Sequence, residues 1–102
     1  MEFKYQINND NGIVNVELEG YLDAANAVNF HEDMKKLIGK DISKIIFNAE
    51  KLEYIASAGL RVIVFTKQKI GYNADVILKS PQKSVKSVVE MSGLTNFISF
   101  EE

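Results

Sequence analysis

Two short, nearly continuous apolar runs, KIIFN at positions 44–48 and ADVILK at positions 74–79, constrain the fold more than any other feature. Runs of this kind read as strands covered on both faces, and two in succession are most simply parallel. A parallel pair cannot close through a tight turn; it needs a crossover, usually right-handed and carrying a helix. That requirement decides the stretch between them, RVIVFTKQKIG from Arg61 to Gly71. Its β-branched residues favour a strand by propensity, but the crossover makes it a helix.

The rest of the chain fits around this unit. FKYQIN alternates through Phe3, Tyr5 and Ile7, NNDNG supplies turn residues, and IVNVELEGYL resumes the alternation through Val14, Val16 and Leu18. These segments predict a hairpin with one wet face. Asp23 is placed to cap a helix over AANAVNFHEDMKKLIGK, where Ala27, Phe30, Met34, Leu37 and Ile38 recur at helical spacing. SPQKSVKSVVEMSGL predicts a third helix starting at Ser80 or Pro81, with Val85, Val88, Val89 and Met91 inward and Gly93 at its end, and NFISF a last strand. The expected architecture is α/β: a small mixed β-sheet covered by helices, in the order β-β-α-β-α-β-α-β, as a single domain over residues 1–102.

Composition narrows the function classes. With 102 residues, 46% of them hydrophobic, there is material for one core. A net charge of -2 with scattered basic residues offers no footprint for nucleic acid. No run approaches the roughly 20 apolar residues of a membrane span, and MEFKYQINNDNG has no signal-peptide core, so a cytoplasmic protein without membrane contact is expected. Without cysteine there is no disulfide, thiolate or sulfur-ligated metal, and without a His/Cys cluster no metal or other cofactor is expected. A serine hydrolase would need a base; the only histidine, His31, reads as a solvated residue on the polar side of the first helix. No catalytic residue is assigned, and the chain is expected not to be an enzyme.

Attention then falls on EYIASAGLRVIVF, where small side chains interrupt two apolar runs around one hydroxyl. Ser57 reads as the N-cap of the second helix, with Gly59 at its second position. A phosphate on Ser57 would meet the positive end of that helix, at the amides of Gly59 and Leu60. Small Ala56, Ala58 and Gly59 leave room for another enzyme to reach the hydroxyl.

YIASAGLRVI resembles the motif of the STAS domain, named for sulfate transporters and anti-sigma factor antagonists, in its small bacterial anti-anti-sigma form. GYLDAANA is similar to the family's G-x-L-D strand end and helix start. IIFNAEKLEYIASAGL is similar to its central strand, loop and helix cap, and EMSGLTNFISF to its M-S-G-L helix end and last strand. The resemblance implies a partner switch. An unphosphorylated antagonist binds an anti-sigma factor that is also a serine kinase, phosphorylation breaks the complex, and a metal-dependent serine phosphatase restores it.

Carried over by position, the phosphoacceptor of the family's D-S-S/T-G-L pattern falls on Ser57, with Gly59 and Leu60 as its glycine and leucine. Asp23 matches an aspartate near the acceptor, and Asn48 the polar residue ending the central strand. The expected partner-binding residues are Asp23, Asn48, Tyr54, Ile55, Ala56, Ser57, Ala58, Gly59, Leu60 and Arg61. Two departures stand out: Ala56 and Ala58 replace the pattern's aspartate and second hydroxyl, and the sequence stops at Glu102, where many members continue into a helix. The alternative reading is a STAS scaffold or small-ligand-sensing module without a phosphorylation cycle.

Overall fold

The computed structural model describes residues 2–102. Its five strands, β1 (Phe3–Asp10), β2 (Ile13–Leu22), β3 (Lys44–Ile55), β4 (Asp75–Lys79) and β5 (Ser99–Glu101), lie side by side in sequence order. The β1–β2 pair is antiparallel and every later pair is parallel. Three helices make the crossovers: α1 (Ala24–Lys35), α2 (Ser57–Phe65) and α3 (Lys83–Met91). This is the expected order and the expected mixed sheet. The hairpin closes through Asn11 and Gly12, both with positive φ, as a two-residue turn with the strand twist requires. Asn8, Asn9 and Asp10, expected in the turn, instead prolong β1.

The sheet is covered on one face, contrary to the reading of its central runs as doubly buried. Register aligns Ile7, Val16, Phe47, Leu78 and Phe100 on the helix side. The neighbouring row, Gln6, Glu17, Asn48, Lys79 and Glu101, lies on the other face and is polar throughout. Ile13, exposed, and Ile46 and Ile77, half-buried, are apolar intrusions there, and the last two made KIIFN and DVILK look continuous.

On the helix side Phe30 of α1 is fully buried among Phe3, Tyr5 and Phe47, with ring centroids 5.0–6.5 Å apart. Burying a side chain of this size contributes about 1.5–3 kcal/mol, so this cluster anchors α1 over β1–β3. Ala27, Met34 and Leu37 are buried with it as expected, whereas Ile38 is exposed beyond the helix end. From α3 only Val85 and Val89, one turn apart, enter the core; Val88 and Met91 fall on the flank and are exposed.

Other boundaries moved for local reasons. Helix α3 starts at Lys83 and not at Ser80 or Pro81. Ser80 has positive φ and its amide is tied to Glu101 of β5, while the Gln82 side chain donates to the Glu50 carbonyl at 2.9 Å. Of NFISF, Asn96 closes a 3-10 turn (Leu94–Asn96), Phe97 lies outside, and pairing begins at Ser99. Helix α2 runs into a π-helical stretch, Thr66–Ile70, where the Gly71 amide reaches the Thr66 carbonyl. Among the described residues no helix is long and apolar enough to cross a membrane.

One polar tie joins β1 to α1: the Tyr5 hydroxyl donates to Asp33, whose carboxylate also pairs with Lys36 at 3.0 Å. Burial first, and the Asp33 acceptor second, push the Tyr5 hydroxyl up to about 12. The Tyr5 bond and then Lys36 hold the Asp33 carboxyl below its ordinary range. On the alkaline side the raised group stabilises the fold fully below pH 10, and that contribution disappears between 10 and about 12. On the acid side the lowered group contributes fully above its ordinary value, and that contribution is lost as pH falls from there through the lowered value. In an ultraviolet titration of the four tyrosines, Tyr5 should ionise last. Tyr5→Phe should remove that final step and flatten stability against pH in both windows, as read from urea unfolding at a series of pH values.

Candidate functional site

The site lies at the carboxyl edge of β2 and β3, where ligands commonly meet parallel α/β sheets. The parallel ladder ends at Leu22 opposite Ile55, and the Ala56 amide donates to the Leu22 carbonyl at 2.8 Å. Asp23, the cap of α1, and Ser57, the first residue of α2, are therefore brought to the same edge of the sheet. Reaching this point takes ten residues in β2 and twelve in β3. Two register shifts, between Glu17 and Glu19 and between Gly20 and Tyr21, absorb the difference. Beyond Asn48 these bulges change the burial period from two to three, so Ala49, Leu52 and Ile55 face the core and Glu50, Lys51, Glu53 and Tyr54 face solvent. What reads as a loop is strand.

The two helix starts differ. Asp23 caps α1 in a reciprocal box: its carboxylate accepts from the Asn26 amide at 2.9 Å, and the Asn26 side-chain oxygen accepts from the Asp23 amide at 2.8 Å. At α2 the cap position belongs to Ala56, which makes no side-chain bond, and Ser57 is the first helical residue and not the expected cap. Ser57 is exposed. The Leu60 amide is bonded to the Ala56 carbonyl at 3.0 Å, so it is not free for an anion as expected. The amides without an intrahelical acceptor are those of Ser57, Ala58 and Gly59.

Gly59 is the third helical residue, and not the second as expected, and it is present for space. A Cβ there would lie 2.7 Å from the Leu22 Cγ and 2.9 Å from the Ile55 Cγ1. Its absence lets α2 lie directly on the ends of β2 and β3.

The expected partner-binding residues thus divide. Asp23, Tyr54, Ala56, Ser57, Ala58, Leu60 and Arg61 gather around the start of α2 with at least part of each accessible. Ile55 and Gly59 are buried and support the site from below. Asn48 is elsewhere: it lies mid-strand on the open face, where its side chain donates to Glu17 at 3.4 Å and accepts from the Glu50 amide at 3.2 Å. At about 3.3 Å per residue, Asn48 lies about 20 Å along β3 from its end.

Two residues escaped sequence reading. Tyr21 stacks on Tyr54 across the ladder, with centroids 5.8 Å apart and planes at 30°, one pair before the ladder ends. Only the shifted register reveals that pairing. His31, expected on the solvated face of α1, instead packs edge-on against Phe65 of α2 at 4.4 Å, and its Nε2 is buried without a hydrogen-bond partner among the described residues. Its signal was position: His31 follows Ala24, Ala27 and Val28 at helical spacing on the side that meets α2.

A family profile described as the STAS domain matches residues 4–102. BtrV of Bordetella bronchiseptica, described as a candidate anti-sigma factor antagonist, is 30% identical over 77 residues, 74% of this chain. That match spans 66%, just under two thirds, of the relative's own length. Among solved structures, the anti-sigma factor antagonist SpoIIAA in its unphosphorylated form superposes with a TM-score of 0.84 at 22% identity, covering 97% of this chain and 89% of that one. The phosphorylated form of SpoIIAA, a Bacillus cell fate determinant, superposes with a TM-score of 0.76 at 20% identity over 97% and 92%. At these identities the superpositions establish the fold.

The different helix starts should separate in mutants. Asp23→Ala is expected to cost about 1 kcal/mol. Ser57→Ala, which removes no cap, should stay within about 0.5 kcal/mol of wild type. Gly59→Ala should cost about 1–3 kcal/mol through overpacking against Leu22 and Ile55. Urea unfolding midpoints at constant slope would measure all three.

Proposed function

The chain belongs to the STAS domain family, and on that footing we propose that it is an anti-sigma factor antagonist governed by phosphorylation of Ser57. Unphosphorylated, it binds an anti-sigma factor that is also a serine kinase; phosphorylated, it is released, and a metal-dependent serine phosphatase resets it. STAS domains are regulatory and non-catalytic, and the chain serves as the kinase's substrate. The observation that carries this reading is an exposed serine opening a helix whose three leading amides have no intrahelical acceptor. A protein of the same fold, SpoIIAA, exists in phosphorylated and unphosphorylated forms, which supports the same assignment.

The chemistry follows from the placement. Inside the kinase the Ser57 Oγ attacks the γ-phosphorus of ATP, the bond to the β-phosphate oxygen breaks and ADP leaves, and the kinase supplies the base that takes the hydroxyl proton. The product brings about -1.5 to -2 charges, which the positive end of α2 tolerates at little cost to the fold. The partner surface, fitted to a neutral hydroxyl among Ala56, Ala58 and Leu60, would have to desolvate that charge, and binding weakens. Asp23, Tyr54 and Arg61 complete the recognition surface in this scheme.

Incubation with the cognate kinase and ATP, followed by mass spectrometry, should find phosphate on Ser57 and on no residue of Ser57→Ala. Ser57→Asp should lower kinase affinity at least about tenfold, equivalent to about 1.4 kcal/mol, while Ser57→Ala binds like the unmodified protein. Tight binding that Ser57→Asp leaves unchanged, with no phosphate on the intact protein, would favour the scaffold reading and defeat the switch.

A further inference from the structure

Helices α1 and α2 start side by side but do not close along their whole length. Ala24, Val28 and His31 on α1 face Ala58, Arg61 and Val62 on α2, each set at the spacing that makes one stripe of a helix. At the far end the stripes meet, His31 against Phe65. Toward Ser57 the alanines are too short to interdigitate and leave a groove of about 220 Å³. Val28 on its wall is 62% exposed, a large apolar side chain beside an apolar floor.

The charge of the groove comes from Arg61. Arg61 is exposed and has no carboxylate within ion-pair distance among the described residues. Neither helix carries an acid in its first turn. Of the acids on or capping α1, Asp23 accepts from the Asn26 amide and Glu32 pairs with Lys35 at 3.2 Å. The uncapped positive end of α2 and the free guanidinium of Arg61 both suit a carboxylate.

We propose that this groove docks an acidic segment of the switching partner: an aliphatic side chain lies against Val28 and the alanines, and an adjacent Asp or Glu pairs with Arg61. The proposal rests on the partner-switch reading, since the groove opens beside Ser57 and Ala58 belongs to both. It assigns partner choice to Val28 and Arg61, which stand outside the phosphoacceptor itself.

A benzophenone-bearing residue placed at position 28 in living cells should cross-link to a segment of the kinase that contains Asp or Glu next to an aliphatic residue. Arg61→Glu should remove the cross-link and weaken purified-kinase binding at least tenfold, increasingly so at low salt. Lys69→Glu, exposed beyond the end of α2, should bind within twofold of wild type. No cross-link, one that persists in Arg61→Glu, or one to a basic or uncharged segment overturns the proposal. The two readings fail separately. If Ser57→Asp releases the kinase while Arg61→Glu binds normally, the groove assignment falls and the switch stands. If the cross-link depends on Arg61 but ignores Ser57→Asp, the groove stands and the switch falls.

Discussion

The parallel pairing of β2 with β3 is the constraint on which the other features depend. Its last residues, Leu22 and Ile55, and the Ala56–Leu22 backbone bond just beyond them bring Asp23 and Ser57 to one edge from positions far apart in the chain. The missing side chain at Gly59 lets α2 settle on that edge, and the Phe30 cluster holds α1 beside it. The site is therefore a product of strand register more than of the loop-like motif that draws the eye. The residues that surround Ser57 come from β2, β3 and both following helices, and only the ladder makes them neighbours.

Much of this was legible in the sequence because the relevant signals are local or topological. The hairpin announced itself through alternation and Asn-Gly, the α1 cap through Asp23, and the helical reading of Arg61–Gly71 through the need for a crossover. The order of elements followed. The failures also have physical causes. Beyond Asn48 the two bulges replace an alternation of two by a period of three, which matches neither a regular strand nor an amphipathic helix, so the stretch before Tyr54 looked like a loop. Ile46 and Ile77 imitated a doubly covered sheet, although their row on the open face is otherwise polar or weakly polar.

The site shows the same division. Ser57 was singled out by its chemistry and by resemblance, and its expected place as the cap fell to Ala56, because a cap is defined by backbone geometry and Ala56 holds the boundary angles. Asn48 was carried over by position along the motif, but distance along a strand is distance in space, and the strand proved longer than the motif suggested. His31 and Tyr21 depend on what lies opposite them, which no single segment encodes. A lone histidine on a mostly polar stripe reads as solvated until the neighbouring helix is placed against it.

The bulged half of β3 also sets the terms on which this site can drift. Glu50, Lys51 and Glu53 project into solvent, so their identities are lightly constrained by packing. Their number is another matter. Deleting or inserting one residue between Asn48 and Ser57 would turn Leu52 and Ile55 from the core to solvent and carry the start of α2 around with them. A lineage can therefore exchange side chains in this stretch while its length stays fixed. Gaps in an alignment of close relatives should be rare in it and should gather where register is not at stake, as in the segment between Lys35 and Lys44 that joins α1 to β3.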